Sequence, residues 1–452
     1  MVARLIGVLT VIAWMVACAS AITPLKPHIT ATPVSTSPAV AEPAVASAPV
    51  PVTHMKSRTN TASGHDQTDL AVRVALVMEQ QSIRLSASGA WSLYDRTGEH
   101  PLSRADVGDT WTIEVCGAMV CGTNNRGDRM PSISGPLVAR PLDENSVLSY
   151  NGKPYRGEIM VLSTDTGLVV INRLSVESYL RGVVPMEIGV DRTATEEAAV
   201  QAQAIAARSF VYTRLDDNRT YDVTATVMDQ VYGGVDAERP VSDAAVEATR
   251  DMVLMYNGKV VSAPYHSNSG GMTAAASEVW RTRDQPYLIA VSDRIPGTDH
   301  YYDEQSPKFR WTRSYDEGTL ETVLDKYLRK YADVPRSGVG KVHSVVETGR
   351  TQSGRVAGLL FVTDRGRFTV RGNEVRFVLR TLDGDVLPST LFTLDVSNGD
   401  DGMLQQVTLH GTGNGHGVGM DQWGAIARAR AGQDCLTILH TYYPGTTVGR
   451  MI

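Results

Sequence analysis

The chain has 452 residues, 43 basic and 49 acidic side chains, a net charge of −6, and 42% hydrophobic against 20% charged residues. This is the composition of an ordinary globular protein. No run of lysine or arginine interrupts it, which argues against nucleic acid or anionic lipid as partners recognised by charge.

Residues 1–21 read as an export signal: Arg4, an apolar run over 5–16, then small residues. About twelve apolar residues fall short of the roughly 20 needed to span a bilayer. Two processing routes are open. Met15-Val16-Ala17-Cys18 resembles a bacterial lipobox that would leave a lipidated Cys18 as a membrane anchor, and Ala19-Ser20-Ala21 is an ordinary small-x-small cleavage site. The lipoprotein is favoured, because a cysteine here has no other evident use. Residues 22–68 carry 7 of the 21 prolines amid Ala, Thr, Ser and Val. Such a stretch cannot bury a core and forms an extended tether of up to roughly 140 Å. An exported, membrane-tethered envelope protein is expected.

Residues 70–78, 83–88, 110–115, 157–163 and 168–172 read as short strands between Gly, Asp and Asn. The N-terminal region, 69–150, is therefore β-rich. Cys116 and Cys121 lie close together in a turn-rich exported segment, so a small disulfide loop is expected. Cys435, in the helical context LTILHTYY, reads as a buried core residue.

The stretch 174–215 is the centre of the chain. Glu187 is expected in a turn between a strand-like run and a long helix, which starts at a capping box formed by Thr193 and Glu196 and runs over 197–215 without Gly or Pro. Two apolar stripes make it a core helix. Its polar residues Glu197, Gln201, Arg208 and Tyr212 share one stripe, expected to face water or a cleft. Glu187 itself has a plain structural reading, as the third residue of a helical turn opened by Pro185.

Downstream, 244–249 reads as a short helix and 252–263 as a hairpin turning at Asn257-Gly258. One helix over 319–331 and strands over 341–348, 356–363 and 368–371 make 294–407 an accessory or inserted lobe. Glycines alternate from Gly411 to Gly419, letting backbone approach a ligand or another strand. They do not bind a nucleotide, since no G-x-G-x-x-G or Walker lysine is present. Asp421 and Asp434 are N-caps of two final helices.

Four stretches, in order, resemble the SpoIID/LytB family of cell-wall proteins: NRLSVESYLRGV; VVPMEIG followed by EEAAVQAQAIAARSFVYTR; PYHSNSGGMTAAASEVW; and GHGVGMDQWGAIARARAG with YYPGT. The resemblance covers 155–293 and 408–449 and leaves 294–407 weakly constrained. It implies an α+β fold, with a SpoIID-like core over 151–293 and 408–452. It also implies a peptidoglycan lytic transglycosylase acting on glycan strands without cofactor or metal, with Glu187 as acid and base. Apolar Val183, Val184, Met186 and Ile188 would keep that acid protonated. The alternative within the resemblance is a non-catalytic glycan-binding enhancer of a cell-wall amidase.

The remaining candidates each have competing readings. His266, Ser267 and Asn268 are expected to line the glycan cleft. A Ser-His nucleophile pair is disfavoured by adjacent placement on a strand and a zinc site by the absence of H-E-x-x-H. His416 and Gln422 resemble cleft residues, against a packing role. Arg208 would be a cleft cation for a muramyl carboxylate, or a surface ion pair.

Overall fold

The computed structural model describes residues 70–451; the expected signal segment, Cys18 and the tether lie outside them. Helices and sheets are mixed, as the α+β expectation holds. Among the described residues the helices are α1 (Val176–Ile188), α2 (Glu197–Tyr212), α3 (Pro240–Ala248), α4 (Ala276–Val279), α5 (Glu317–Tyr327), α6 (Glu374–Val378), α7 (Gln422–Arg430) and α8 (Cys435–Tyr442). None of them is long and apolar enough to cross a membrane.

A seven-stranded sheet runs in the order Val223–Thr224, Ala71–Gln80, Gly167–Ser175, Glu158–Thr164, Leu137–Pro141, Trp91–Tyr94, Pro101–Ala105. Its first long strand, from the N-terminal region, pairs antiparallel with Gly167–Ser175, Val72 opposite Leu174 and Ala75 opposite Ile171. Region 69–150 is thus continuous with the segment that carries Glu187. A five-stranded sheet built around Ser82–Ala87 and Trp111–Cys116 adds to the same core, and Cys116 is bridged to Cys121 at its edge.

Helix α2 is the hub. Ala199, Val200, Ala202, Ala204, Ala206, Ala207 and Val211 are fully buried, and α1, α3, α7 and α8 all pack against it. Small side chains let these helices approach closely. The capping box of Thr193 and Glu196 is present, on a single 3-10 turn (Ala194–Glu196) that precedes the helix. The helix ends at Tyr212, three residues earlier than expected.

The turn expected to hold Glu187 is instead the last turn of a 13-residue helix, α1. Ser175 caps it by accepting from the Ser178 N–H, and Pro185 lies inside it. Val-Val-Pro hides a helix from propensity, yet Val176, Tyr179, Leu180, Val183, Val184 and Ile188 are all buried, a helical spacing. Proline is tolerated there because tertiary burial outweighs one missing backbone bond.

A second core lies in the accessory lobe, formed by Tyr315, Leu320, Val323, Leu324, Phe361, Phe368 and Leu409 among others. The expected helix and strands are there, as α5 with a 3-10 turn at Leu328–Lys330, and strands Val342–Glu347, Gly358–Thr363 and Gly366–Arg371. Strand Leu404–Thr412 leaves this lobe and leads into the glycine run. That run threads past 264–274: a Cβ on Gly419, at φ +73°, would lie 2.0 Å from the Pro264 carbonyl oxygen. Only glycine fits such an approach.

Candidate functional site

Three segments converge on Glu187. Helix α1 supplies the acid itself. The segment after Val223–Thr224 turns at Thr226–Asp229 and brings Val231, whose N–H donates to Glu187 Oε1 at 2.7 Å. Its approach depends on Gly182, where a Cβ would lie 2.5 Å from the Tyr232 ring, and the Gly233 N–H bonds the Gly182 carbonyl at 3.0 Å. The third segment is a short parallel pair, Tyr265 opposite Met420 and His266 opposite Asp421, which sets Tyr265 and Gln422 beside the acid.

Glu187 is half-buried, over fully buried Val183 and Val184, while Met186 stands exposed at the mouth. Burial pushes its carboxyl up to about 7, against hydrogen bonds from Val231, Gln422 and Tyr265 that favour the ionised form. Its place in the last turn of α1, at the negative end of the helix dipole, acts in the same direction as burial. The result is an accessible acid that holds a proton near neutrality.

Behind it lies a hydrogen-bonded tier. Gln230 Nε2 donates to the Ala207 carbonyl at 3.2 Å and to the Tyr265 hydroxyl at 3.0 Å, and its Oε1 accepts from the Tyr179 hydroxyl at 3.0 Å. Gln422 donates to Gln203 at 3.3 Å from the core of α2.

The other sequence candidates fall in different places. Arg208 is a correction. It is fully buried and forms a two-pronged pair with Glu177 at 2.6 and 2.7 Å, adding bonds to the Met252 and Val246 carbonyls. It is neither a cleft cation nor a surface pair, because the polar stripe of α2 is buried at this point by α1 and α3. Tyr212 is half-buried against the core at the helix end. His266 and Asn268 are also buried and do not line an open cleft. His266 Nδ1 meets the Val418 carbonyl at 3.2 Å, and Asn268 bonds the Asp303 carbonyl and exchanges backbone bonds with Asn414. Ser267 is half-buried and its carbonyl accepts from Trp423 N–H. The His416 ring packs, tilted, between those of His266 and Trp280, with ring centres at 5.5 and 5.0 Å. Burial, with Arg376 and Arg355 nearby, pushes its imidazole down to about 3. Gln422 alone of these reaches Glu187. Cys435, expected in the core, is half-buried at the start of α8 with a free thiol that burial pushes up to about 12.

Among the described residues, one acidic group converges closely enough for a cation: Asp293, Asp303 and Asp421, with oxygens within 4.8 Å of one another. Protein donors already occupy them. Arg428 and Tyr442 bond Asp293; Ser269, Gly270 and Gly271 bond Asp303; and Ser269 N–H and Gly424 N–H bond Asp421. Burial and the charges of Asp293 and Asp303 push Asp421 well above the usual carboxylate range. The cluster ties the 266–271 loop to the N-terminus of α7 and so holds Gln422 in place.

Sequence reasoning missed Tyr179, Gln230, Val231 and Tyr265. Tyr179 and Tyr265 lay in stretches that carried the family resemblance, NRLSVESYLRGV and PYHSNSGGMTAAASEVW, whereas Gln230 and Val231 lay in none.

Comparison with known proteins places the chain in a family. A family model described as Stage II sporulation protein (SpoIID) matches residues 164–256, the span that holds α1, α2 and the Val231 segment. An uncharacterized protein of Brachyspira hyodysenteriae is 30% identical over 302 residues, covering 66% of this chain and 73% of that relative. The chain belongs to the SpoIID/LytB family. The Bacillus subtilis stage II sporulation protein D is 29% identical over 296 residues, 62% of this chain and 75% of its own length. The Bacillus subtilis amidase enhancer is 28% identical over 300 residues, 60% of this chain and 40% of its own length. A second family model, a domain of unknown function (DUF8618), matches residues 295–419, which hold the second core.

Proposed function

We propose that this SpoIID/LytB protein is an exported peptidoglycan lytic transglycosylase, cleaving the bond between N-acetylmuramic acid and N-acetylglucosamine in glycan strands. One observation carries the reading. Glu187 is an accessible carboxyl pushed up to about 7, and the groups that act on it are an amide N–H, a glutamine and a tyrosine, none of them a second carboxylate.

Hydrolysis of a glycoside ordinarily uses a second acid, to activate water or to form a glycosyl-enzyme. A single acid suffices when the sugar supplies its own nucleophile. Protonated Glu187 gives its proton to the glycosidic oxygen as the bond to the muramic acid C1 breaks. The resulting carboxylate then takes the proton of that sugar's primary hydroxyl as its oxygen bonds C1, closing an anhydro ring. Proton and charge balance, and no water enters. Acid-base catalysis of this kind contributes roughly 10²- to 10⁴-fold. Glu187→Gln should therefore lower turnover at least that far while glycan pull-down by the full-length protein survives. Equal loss of binding would remove Glu187 from the chemistry.

The similarity to a protein named amidase enhancer favours a second reading, in which the same cleft holds glycan for a separate cell-wall amidase. Stimulation of an added amidase by Glu187→Gln as strong as by wild type, without any cleavage by wild type, would select it. Cys18 as a lipid anchor belongs with the exported reading and is tested by the mass of the native N-terminus.

A further inference from the structure

Helix α2 ends at Tyr212, and residues 213–219 with Ser262 line an open cavity of about 720 Å³. Its walls lead toward Glu187 from two directions. Ser262 stands three residues before Tyr265, on the chain that enters the short parallel pair. On the other side Asp229 Oδ1 lies 3.4 Å from Arg214 Nε, and two residues later the Val231 N–H holds Glu187. Two residues of backbone span at most roughly 7 Å, so cavity and acid share a wall.

The floor of the cavity is pinned. Arg73, on strand Ala71–Gln80, pairs with Asp222 at 2.7 Å and donates to the Asp216 and Arg219 carbonyls, both at 2.6 Å. The Asp216 carboxylate accepts from the Asn218 N–H at 3.1 Å and from its Nδ2 at 3.0 Å. A loop held in this way loses little further freedom when a ligand binds.

Arg214 differs from the arginines around it. Arg73 and Arg208 each place two nitrogens on one carboxylate with short bonds. Arg214 instead has Asp229 at 3.4 Å on one nitrogen and the Phe210 carbonyl at 3.4 Å on another. Asp229 Oδ2 accepts from the Thr224 hydroxyl at 2.8 Å and N–H at 2.9 Å, which holds that carboxylate away from a two-pronged pair. The guanidinium carbon lies 3.4 Å from the centre of the Phe210 ring, which in turn packs tilted against Tyr265 at 6.5 Å. The side chain keeps 30% of its surface exposed. Burial makes its charge costly, pushing it below the ordinary arginine range against the pull of Asp229. A guanidinium that is fixed, partly buried and incompletely paired suits a planar anion.

We propose that this cavity is a subsite for the bound glycan strand, in which Arg214 receives a carboxylate of that strand and the polar groups of Asn218 and Ser262 meet the sugar. The ligand class rests on the peptidoglycan reading of Glu187. Arg208, expected from the sequence as the cleft cation, is sealed in the core; six residues on, past the end of α2, Arg214 is open. Between subsite and acid, the turn at Thr226–Asp229 carries Val227 and Met228, 86% and 78% exposed, apolar surface for the C–H face of an intervening sugar.

The test is equilibrium binding at low ionic strength by the full-length protein carrying Glu187→Gln, so that no strand is consumed. Three probes are compared: denuded strands with free lactyl carboxylates; the same strands methyl-esterified; and strands that keep their stem peptides, where the lactyl group is an amide and the peptide carries the acid. Arg214→Gln should weaken binding of an acid-bearing probe by about tenfold and leave the esterified strands unchanged. Loss on denuded strands names the lactyl carboxylate as the ligand, and loss confined to peptide-bearing strands names the stem. Arg214→Lys, which keeps the charge without the fork, should restore part of the affinity. If Arg214→Gln does not fold, Asp217→Lys at the exposed rim should tighten the same probe and not the esterified one. An arginine that only supported the Asp229 turn would weaken all three probes alike on replacement, and that result, or no change on any probe, overturns the subsite. Cleavage by wild type without Arg214-dependent discrimination keeps the transglycosylase reading and removes the subsite, whereas discrimination in a protein that cleaves nothing does the reverse.

Discussion

Replacing Glu187 by glutamine should stabilise the protein at alkaline pH, because an acid held protonated by burial is a cost to the fold once it ionises. Its carboxyl is pushed from an ordinary value of 4.5 up to about 7. The folded state therefore keeps a proton that the unfolded chain releases, so this group's contribution to stability is full below about 4.5 and is lost as pH rises to about 7. That gap corresponds to roughly 3 kcal/mol at 1.36 kcal/mol per pH unit. Glutamine has the same shape, can still accept from the Val231 N–H, and does not titrate. Denaturant unfolding of wild type and Glu187→Gln across pH 4 to 9 isolates this one residue, since every other titrating group is common to both. The stability difference should be near zero at about pH 4.5 and grow to roughly 3 kcal/mol in favour of glutamine by about pH 8. A difference that stays flat with pH would refute the claim that Glu187 is held protonated by its surroundings.

Arg208→Met should leave Glu177 buried without its partner and cost roughly 3–5 kcal/mol in denaturant unfolding. Glycan affinity lost without that destabilisation would return Arg208 to the binding surface. His416, pushed down to about 3, stays neutral in the fold while the unfolded chain takes a proton near 6.5, so stability should fall as pH drops from about 6.5 toward 3. His416→Gln should flatten that limb of an acid titration followed by fluorescence, and an unchanged limb would contradict it. Reduction of the Cys116–Cys121 bridge should cost roughly 2–3 kcal/mol at most, its loop being short, and leave the core around α1 and α2 folded. Loss of binding on reduction, followed by pull-down, would show that the bridge supports the site.

The fold was legible where local chemistry and tertiary packing agree. The Thr193–Glu196 capping box, the Asn257-Gly258 turn with both residues at positive φ, and the Asp421 and Asp434 caps all stand where the residues place them. Helix α1 was not legible as a helix, because Val183, Val184 and Pro185 carry poor helix propensity and only burial against α2 and α3 compensates. Arg208 was misread for a related reason. Periodicity identifies a polar stripe but not what covers it, and here the cover is α1, which brings Glu177. The acid itself stood out through its motif. Val231 did not, since it reaches Glu187 from 44 residues further along the chain through the close approach at Gly182, a tertiary relation with no local pattern.

The central claim, one acid and no water, is tested most directly by the products of denuded glycan strands incubated with the protein in ¹⁸O-labelled water. Mass spectrometry should find chains ending in anhydromuramic acid without solvent label from wild type, and none from Glu187→Gln. Reducing ends carrying the label would mean hydrolysis through a second catalytic group, contradicting the single-acid account.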